Sequence, residues 1–159
     1  MQQNKDTQPP RILLVDDEEE FLQVMAKRLT RRGFDVRGVS SGEDALAFLE
    51  DHERDVVVLD VKMPGMNGIL TLQCIKDRWP EIEVVLLSGH VSIDTAIEGL
   101  QRGAFDYVLK PVVLEELVDK VVDAGSWRAL NLKESSPGVS SGRQKKRDVS
   151  SECENNENT

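Results

Sequence analysis

Five polar side chains in this sequence have types and settings that suit a shared chemistry: Asp16, Asp17, Asp60, Ser88 and Lys110. Each sits at the end of a short apolar run. Ile12 to Val15 precede Asp16-Asp17-Glu18, Val56 to Leu59 precede Asp60, Val84 to Leu87 precede Ser88, and Tyr107 to Leu109 precede Lys110-Pro111. If these runs are parallel strands, their carboxyl ends share one edge of a sheet, which is where open α/β sheets bind ligands. Carboxylates crowded at that edge repel one another at neutral pH unless a cation sits among them. A hard divalent ion such as Mg²⁺ takes oxygen ligands, keeps several waters, and is usually held by one or two carboxylates plus phosphate oxygens. Asp60 then reads as a nucleophile, since a carboxylate can attack phosphorus and form an aspartyl-phosphate. Mg²⁺ and Lys110 would clamp the oxygens of the transferred group from opposite sides.

The elements that must hold these groups are visible as a rhythm of short apolar runs and stretches of helical period from Arg11 to about Leu130. That alternation predicts βα units around a parallel sheet. The four runs above and Asp35 to Val39 supply five strands. Asp35 to Val39 is the least apolar and reads as an edge strand, while near-continuous apolar runs suit strands covered on both faces. Between them, Phe21, Leu22, Met25 and Leu29 mark a first helical stripe that stops at Gly33. Ser40 and Glu43 form a candidate capping box for a second helix carrying Ala45, Leu46 and Leu49. A third helix runs from Gly68 to Arg78. A fourth, capped by Ser92, turns Ile93, Ala96, Ile97 and Leu100 inward, and a fifth buries Leu114, Leu117, Val118, Val121 and Val122. The fold expected is α/β, a doubly wound five-stranded parallel sheet with five helices.

At 159 residues the chain has room for one domain and tails. We expect a disordered N-terminal segment at 1–10, a folded domain at 11–130 and a disordered polar tail at 131–159, where Leu132, Val139, Val149 and Cys153 are too few to form a core. The net charge is −9, and the tail holds five basic and five acidic residues, so the excess of negative charge lies in the preceding part. An acidic domain is a poor general nucleic-acid binder. The basic run Arg143, Lys145, Lys146 and Arg147 reads first as solvated linker and second as a docking patch. No apolar run approaches the roughly 18 residues of a membrane span, and no secretory signal opens the chain, which gives a cytoplasmic expectation. Cys74 and Cys153 lack metal or redox spacing and read as incidental.

Four segments in order, Leu14-Val15-Asp16-Asp17-Glu18, Leu59-Asp60 through Met63-Pro64-Gly65-Met66-Asn67-Gly68, Leu87-Ser88-Gly89, and Phe105-Asp106-Tyr107-Val108-Leu109-Lys110-Pro111, resemble the receiver domain of bacterial two-component response regulators. The likeness covers roughly Arg11 to Val122, and the stretch from Gly89 to Tyr107 is similar to receivers of the nitrogen-regulator type. It implies a flavodoxin-like strand order 2-1-3-4-5, the order the general rules for doubly wound folds already give for a chemotaxis member of this family. It implies that Asp60 accepts a phosphoryl group from a sensor histidine kinase. Asp17 would bind Mg²⁺ directly, Asp16 partly through water, and the Val61 carbonyl would add a ligand. Lys110 would pair with the phosphate, and Ser88 would donate to it while Tyr107 rotates inward. The Lys110-Pro111 bond would be cis, and His90 would bear on the phosphate lifetime. The chain would be a phosphoacceptor that promotes its own phosphorylation and slow autodephosphorylation, not a turnover enzyme. It would act as a stand-alone receiver, signalling to a downstream protein through helix four and strand five, which is also a candidate homodimer face.

Blander readings stand beside these. Asp16 and Asp17 alone would be helix N-terminal charge, Lys110 a surface lysine and Tyr107 an edge aromatic. It is their company that argues otherwise. His52 and His90 read as exposed polar residues, and Trp79 and Trp127 as packing residues, Trp127 with an alternative role on a contact surface. Three other classes compete with the stand-alone reading. A phosphatase would be expected to carry Asp-x-Asp after the first strand, where this chain has adjacent acids. A pseudo-receiver would lack acceptor residues that are present here. A relay intermediate, or a piece of a larger transcriptional regulator, shares every site residue.

Overall fold

The computed structural model describes residues 8–89 and 93–134. The chain runs β1 (Ile12–Val15), α1 (Glu19–Arg31), β2 (Val36–Val39), α2 (Gly42–Asp51), β3 (Val56–Asp60), α3 (Gly68–Arg78), β4 (Glu83–Ser88), α4 (Ile93–Gln101), β5 (Asp106–Leu109) and α5 (Leu114–Glu134). The strands form one parallel sheet in the order β2-β1-β3-β4-β5, as expected. In register, Val15 lies beside Val39 and Leu59, Asp60 beside Leu87, and Ser88 beside Leu109.

Alternation along the three inner strands builds two cores. Leu13, Val15, Val57, Leu59, Val84 and Leu86 face one side, where α2 and α3 bring Ala45, Leu46, Leu49, Leu72 and Ile75. Ile12, Leu14, Val56, Val58, Val85 and Leu87 face the other, under Leu22, Met25 and Leu29 of α1 and Leu117, Val121 and Ala124 of α5. Because both faces are covered, β1, β3 and β4 are buried throughout, whereas β2 is half exposed at its edge. This arrangement fixes the carboxyl ends of four strands side by side.

Several local expectations need correction. Helix α2 is capped by Ser41, whose hydroxyl accepts from Asp44 N at 3.0 Å, so the cap lies one residue beyond Ser40. Helix α4 packs through the small residues Ala96 and Gly99, while Ile93 and Ile97 are exposed at 45% and 47%. Helical period marks an apolar stripe, but only backbone proximity decides which part of it is covered. A Cβ at Gly99 would meet Leu86 at 2.2 Å, so α4 approaches the sheet along that line. Val122 and Trp127 are likewise exposed on α5. That helix runs to Glu134, past the boundary drawn at Leu130. Cys74 is fully buried on α3 as part of the core that this helix builds with the sheet. The Ser92 cap, His90 and the basic run at 143–147 lie outside the described residues.

Other expectations hold. Gly33 ends α1 with φ of 95°, where a left-handed residue is needed. The third helix runs from Gly68 to Arg78 as expected, and Asn67 Oδ1, accepting from Leu70 N at 2.9 Å, caps it directly after the turn that follows Asp60.

Candidate functional site

The strand ends bring Asp16, Asp60, Ser88 and Lys110 to adjacent positions on one edge of the sheet. Asp16, fully buried, directly follows β1. Its Oδ1 accepts from Glu18 N at 2.9 Å and its Oδ2 accepts from Lys110 Nζ at 2.8 Å. Asp60 is 6% exposed, with Oδ1 accepting from Lys62 N at 3.4 Å and Oδ2 3.6 Å from Lys110 Nζ. Asp17 is exposed beside them. Carboxylate oxygens of Asp16, Asp17 and Asp60 lie within 4.8 Å of one another, a group that can hold a metal ion.

Electrostatics follow from this crowding. Burial and then the charge of Asp16, with a smaller push from Asp17, raise the Asp60 carboxyl to about 6, against the pull of Lys110 and the Lys62 N–H. For Lys110, burial works to lower the ammonium, but the hydrogen bond to Asp16 and the charges of Asp60, Asp16 and Glu18 outweigh it and hold the group above its ordinary value. One lysine therefore serves several acids and leaves Asp60 only partly compensated. Oxygen donors alone, three of them carboxylate, fit Mg²⁺ completed by water or phosphate oxygens.

Lys110 N donates to Ser88 O at 2.8 Å, tying the end of β5 to β4, and the Lys110-Pro111 peptide is cis. Ser88 is 1% exposed and its hydroxyl donates to the Gly89 carbonyl at 3.1 Å. Tyr107 stands beside Leu86 and packs, half-buried, against the α2/α3 core. The Val61 carbonyl accepts from Gly68 N at 3.0 Å. It faces the start of α3, which leaves one lone pair for any other partner. His52 is remote from these groups, stacked on Phe48 with centroids 4.3 Å apart at the end of α2.

A sequence profile of the response regulator receiver domain matches residues 12–122. The chain belongs to the response regulator receiver family. This receiver is 37% identical over 107 residues to the regulatory protein AtoC of Escherichia coli K12, covering 67% of the chain and 23% of AtoC. Its fold matches a crystallised response regulator receiver domain protein from Clostridium thermocellum with a TM-score of 0.73 and 36% identity, over 76% of this chain and 98% of that one. It also matches NtrX from Brucella abortus with a TM-score of 0.75 and 33% identity, over 79% of this chain and 29% of NtrX. The nitrogen-regulator likeness is thus seen in structure as well as sequence. The chain spans between about a quarter and a half of the curated relatives it matches.

The geometry adds residues to the receiver site that sequence reasoning passed over. Gly68 is one. A Cβ there would lie 2.3 Å from the Asp60 carbonyl and 2.7 Å from Val61 Cα, so only glycine lets α3 start this close to the Asp60 strand end. Glu18 is a second, 3.5 Å from Lys110 Nζ. Phe21 is a third. It packs against the core as its place in the helical stripe implies, and its ring also lies under Lys110 Nζ, 4.8 Å from the centroid. No sequence signal pairs a helix aromatic with a lysine so far along the chain.

Proposed function

We propose that this receiver takes a phosphoryl group onto Asp60 from the phosphohistidine of a sensor kinase. The observation that carries this reading is the buried Asp60 carboxylate, flanked by two further aspartates and by Lys110. An Asp60 carboxylate oxygen attacks phosphorus, the P–N bond to the donor imidazole breaks, and its electron pair stays on the histidine nitrogen. Asp16, Asp17 and Asp60 would hold Mg²⁺, with the remaining lone pair of the Val61 carbonyl as a further donor. Bound there, the ion supplies positive charge for the acids and the phosphoryl oxygens. Lys110 needs only to swing from Asp16 toward those oxygens, and its charge follows the one forming on the phosphoryl group. Ser88 exchanges its bond to Gly89 for one to a phosphoryl oxygen, and Tyr107 fills the space that this shift opens.

The changed surface includes α4 and β5, where Ile93, Ile97, Leu109 and the neighbouring Val113 are exposed. A downstream protein or a second copy would be read there, and Ile97→Glu should remove phosphorylation-dependent binding. Among the described residues no helix is long and apolar enough to cross a membrane, and a cytoplasmic setting suits a kinase donor. The same site would promote slow hydrolysis of its own aspartyl-phosphate. Incubation with Mg²⁺ and acetyl phosphate should add one phosphoryl group to the wild type and none to Asp60→Asn. Equal labelling of both would sink the assignment.

A second reading is favoured by how little of its curated relatives the chain spans: a receiver serving a larger regulator, or a relay that passes its phosphoryl group to another histidine protein. The mass of the endogenous protein, and transfer from labelled Asp60 to a histidine-containing partner, separate these from a receiver acting alone.

A further inference from the structure

We propose that Phe21 is a positioning residue for phosphoryl transfer, its ring face holding the Lys110 ammonium at the site when Asp16 is engaged by a cation. The inference rests on the phosphoacceptor reading above. Lys110 has a long flexible stem, and its Nζ is held by Asp16 at 2.8 Å, Glu18 at 3.5 Å and Asp60 at 3.6 Å. Asp16 and Asp60 are also the buried members of the acidic group that can take a metal. A carboxylate that neutralises a metal holds a lysine less well, so cation binding weakens the strongest restraints on Lys110 just when its direction matters.

Phe21 keeps its hold under that condition. Its ring carries no metal donor and lies 4.8 Å from Lys110 Nζ, inside the range of cation–π attraction. The ring is itself anchored, because Phe21 packs against the core formed by α1, α5 and the sheet. Glu18 also lies outside the acidic group but is largely exposed, so its attraction is screened by solvent. The ring face draws the ammonium without occupying its N–H groups, which stay available for phosphoryl oxygens.

The test places mono-, di- and trifluorophenylalanine at position 21 of the full chain, keeping an aromatic ring while draining its negative face. With saturating Mg²⁺, labelling of Asp60 by acetyl phosphate should fall step by step, about two- to fivefold across the series. Phe21→Leu should fall as far, and Phe21→Trp, with the stronger ring face, should restore most of that loss. Mg²⁺ affinity should not change across the series. Flat labelling across the series overturns the proposal. A second readout needs no phosphorylation. The Lys110 ε-methylene protons should resonate upfield of an ordinary lysine with and without Mg²⁺, and lose that shift in Phe21→Leu. Loss of the shift on adding Mg²⁺ to the wild type overturns the proposal. A wild type that takes no phosphoryl group while the ring shift persists overturns the phosphoacceptor reading and leaves the Phe21 contact standing.

Discussion

Lys110 sits closer to Asp16 than to Asp60, with Nζ 2.8 Å from Asp16 Oδ2 and 3.6 Å from Asp60 Oδ2. The lysine charge is therefore spent first on the fully buried acid at the end of β1, and the proposed nucleophile is left the less neutralised of the two. This closeness of acids is a store of repulsion. A cation can relieve it, and so can a proton.

The proton gives the first prediction. Asp60 moves from 3.8 to about 6 on folding, chiefly through burial and then through Asp16, so between these values the native state holds more protons than the unfolded chain. Stability from this group is present below the unfolded value and is lost as pH rises through about 6, by on the order of 1–2 kcal/mol once solvent screening is allowed for. Asp60→Asn should therefore raise the unfolding free energy by that amount at neutral pH without metal, and by little at about pH 4, close to the unfolded value. Urea melts at the two pH values would show it. A gain that is equal at both would contradict the charge argument.

A cation should relieve the same repulsion. A ligand that binds only the native state at ten times its Kd stabilises by about 1.4 kcal/mol. Mg²⁺ at that level should raise the melting temperature of the wild type, and Asp17→Asn should lose most of the response. Asp17 is exposed and serves as the cleaner probe, since Asp16 also binds Lys110 and the Glu18 N–H. Calorimetric melts with and without Mg²⁺ decide it, and an undiminished response in Asp17→Asn would remove that residue from the metal site.

Most of the fold was legible because β1, β3 and β4 are covered on both faces and so read as unbroken apolar runs. The site was legible for a related reason, since parallel strands carry whatever follows them to one edge. What stayed hidden depends on distances the sequence does not encode. Ile93 and Ile97 have the period of a buried stripe, yet α4 approaches the sheet through Ala96 and Gly99. Ser40 and Ser41 offer the same hydroxyl, and only the helix start at Gly42 selects between them. The direction of the Val61 carbonyl is a backbone property that no side-chain type reports. The pairing of Lys110 with Asp16 joins residues 94 apart, and the ring of Phe21 beneath it could be placed only after α1 was packed.

Gly68 supplies a third prediction, on the link between backbone packing and the site. A methyl group there would press on the Asp60 carbonyl, on Val61 Cα and on the Val61 carbonyl, all of them main-chain atoms that cannot swing aside. Gly68→Ala should cost about 1–3 kcal/mol by overpacking. It should also displace the strand end that carries Asp60, so acetyl phosphate labelling should fall even where the variant is fully folded. Denaturant melts and labelling on the same sample give both numbers, and a destabilised variant with normal labelling would show that the loop absorbs the strain elsewhere.

The last prediction concerns the opposite edge of the sheet. Asp55 accepts from Arg11 N at 2.7 Å, from the Arg11 guanidinium at 3.1 Å and from Arg128 at 2.7 Å. Burial pushes the Asp55 carboxyl up, but the bonds from Arg11 and the charge of Arg128 prevail and hold it below its usual value. Its stabilisation is therefore present above the unfolded value and lost as pH falls through the lower folded one. Arg128 lies on α5 beyond the matched receiver segment and is mostly buried, so it ties the end of that helix to β1 and β3. Asp55→Ala should cost roughly 2–4 kcal/mol because it strands the Arg128 charge. Arg128→Met, which keeps the stem and removes the charge, should cost clearly less. Hydrogen exchange should quicken at 125–134 in both variants and stay unchanged around Asp60. Faster exchange at Asp60 would mean that the two edges of the sheet are coupled through α5, and that the helix end takes part in the switch.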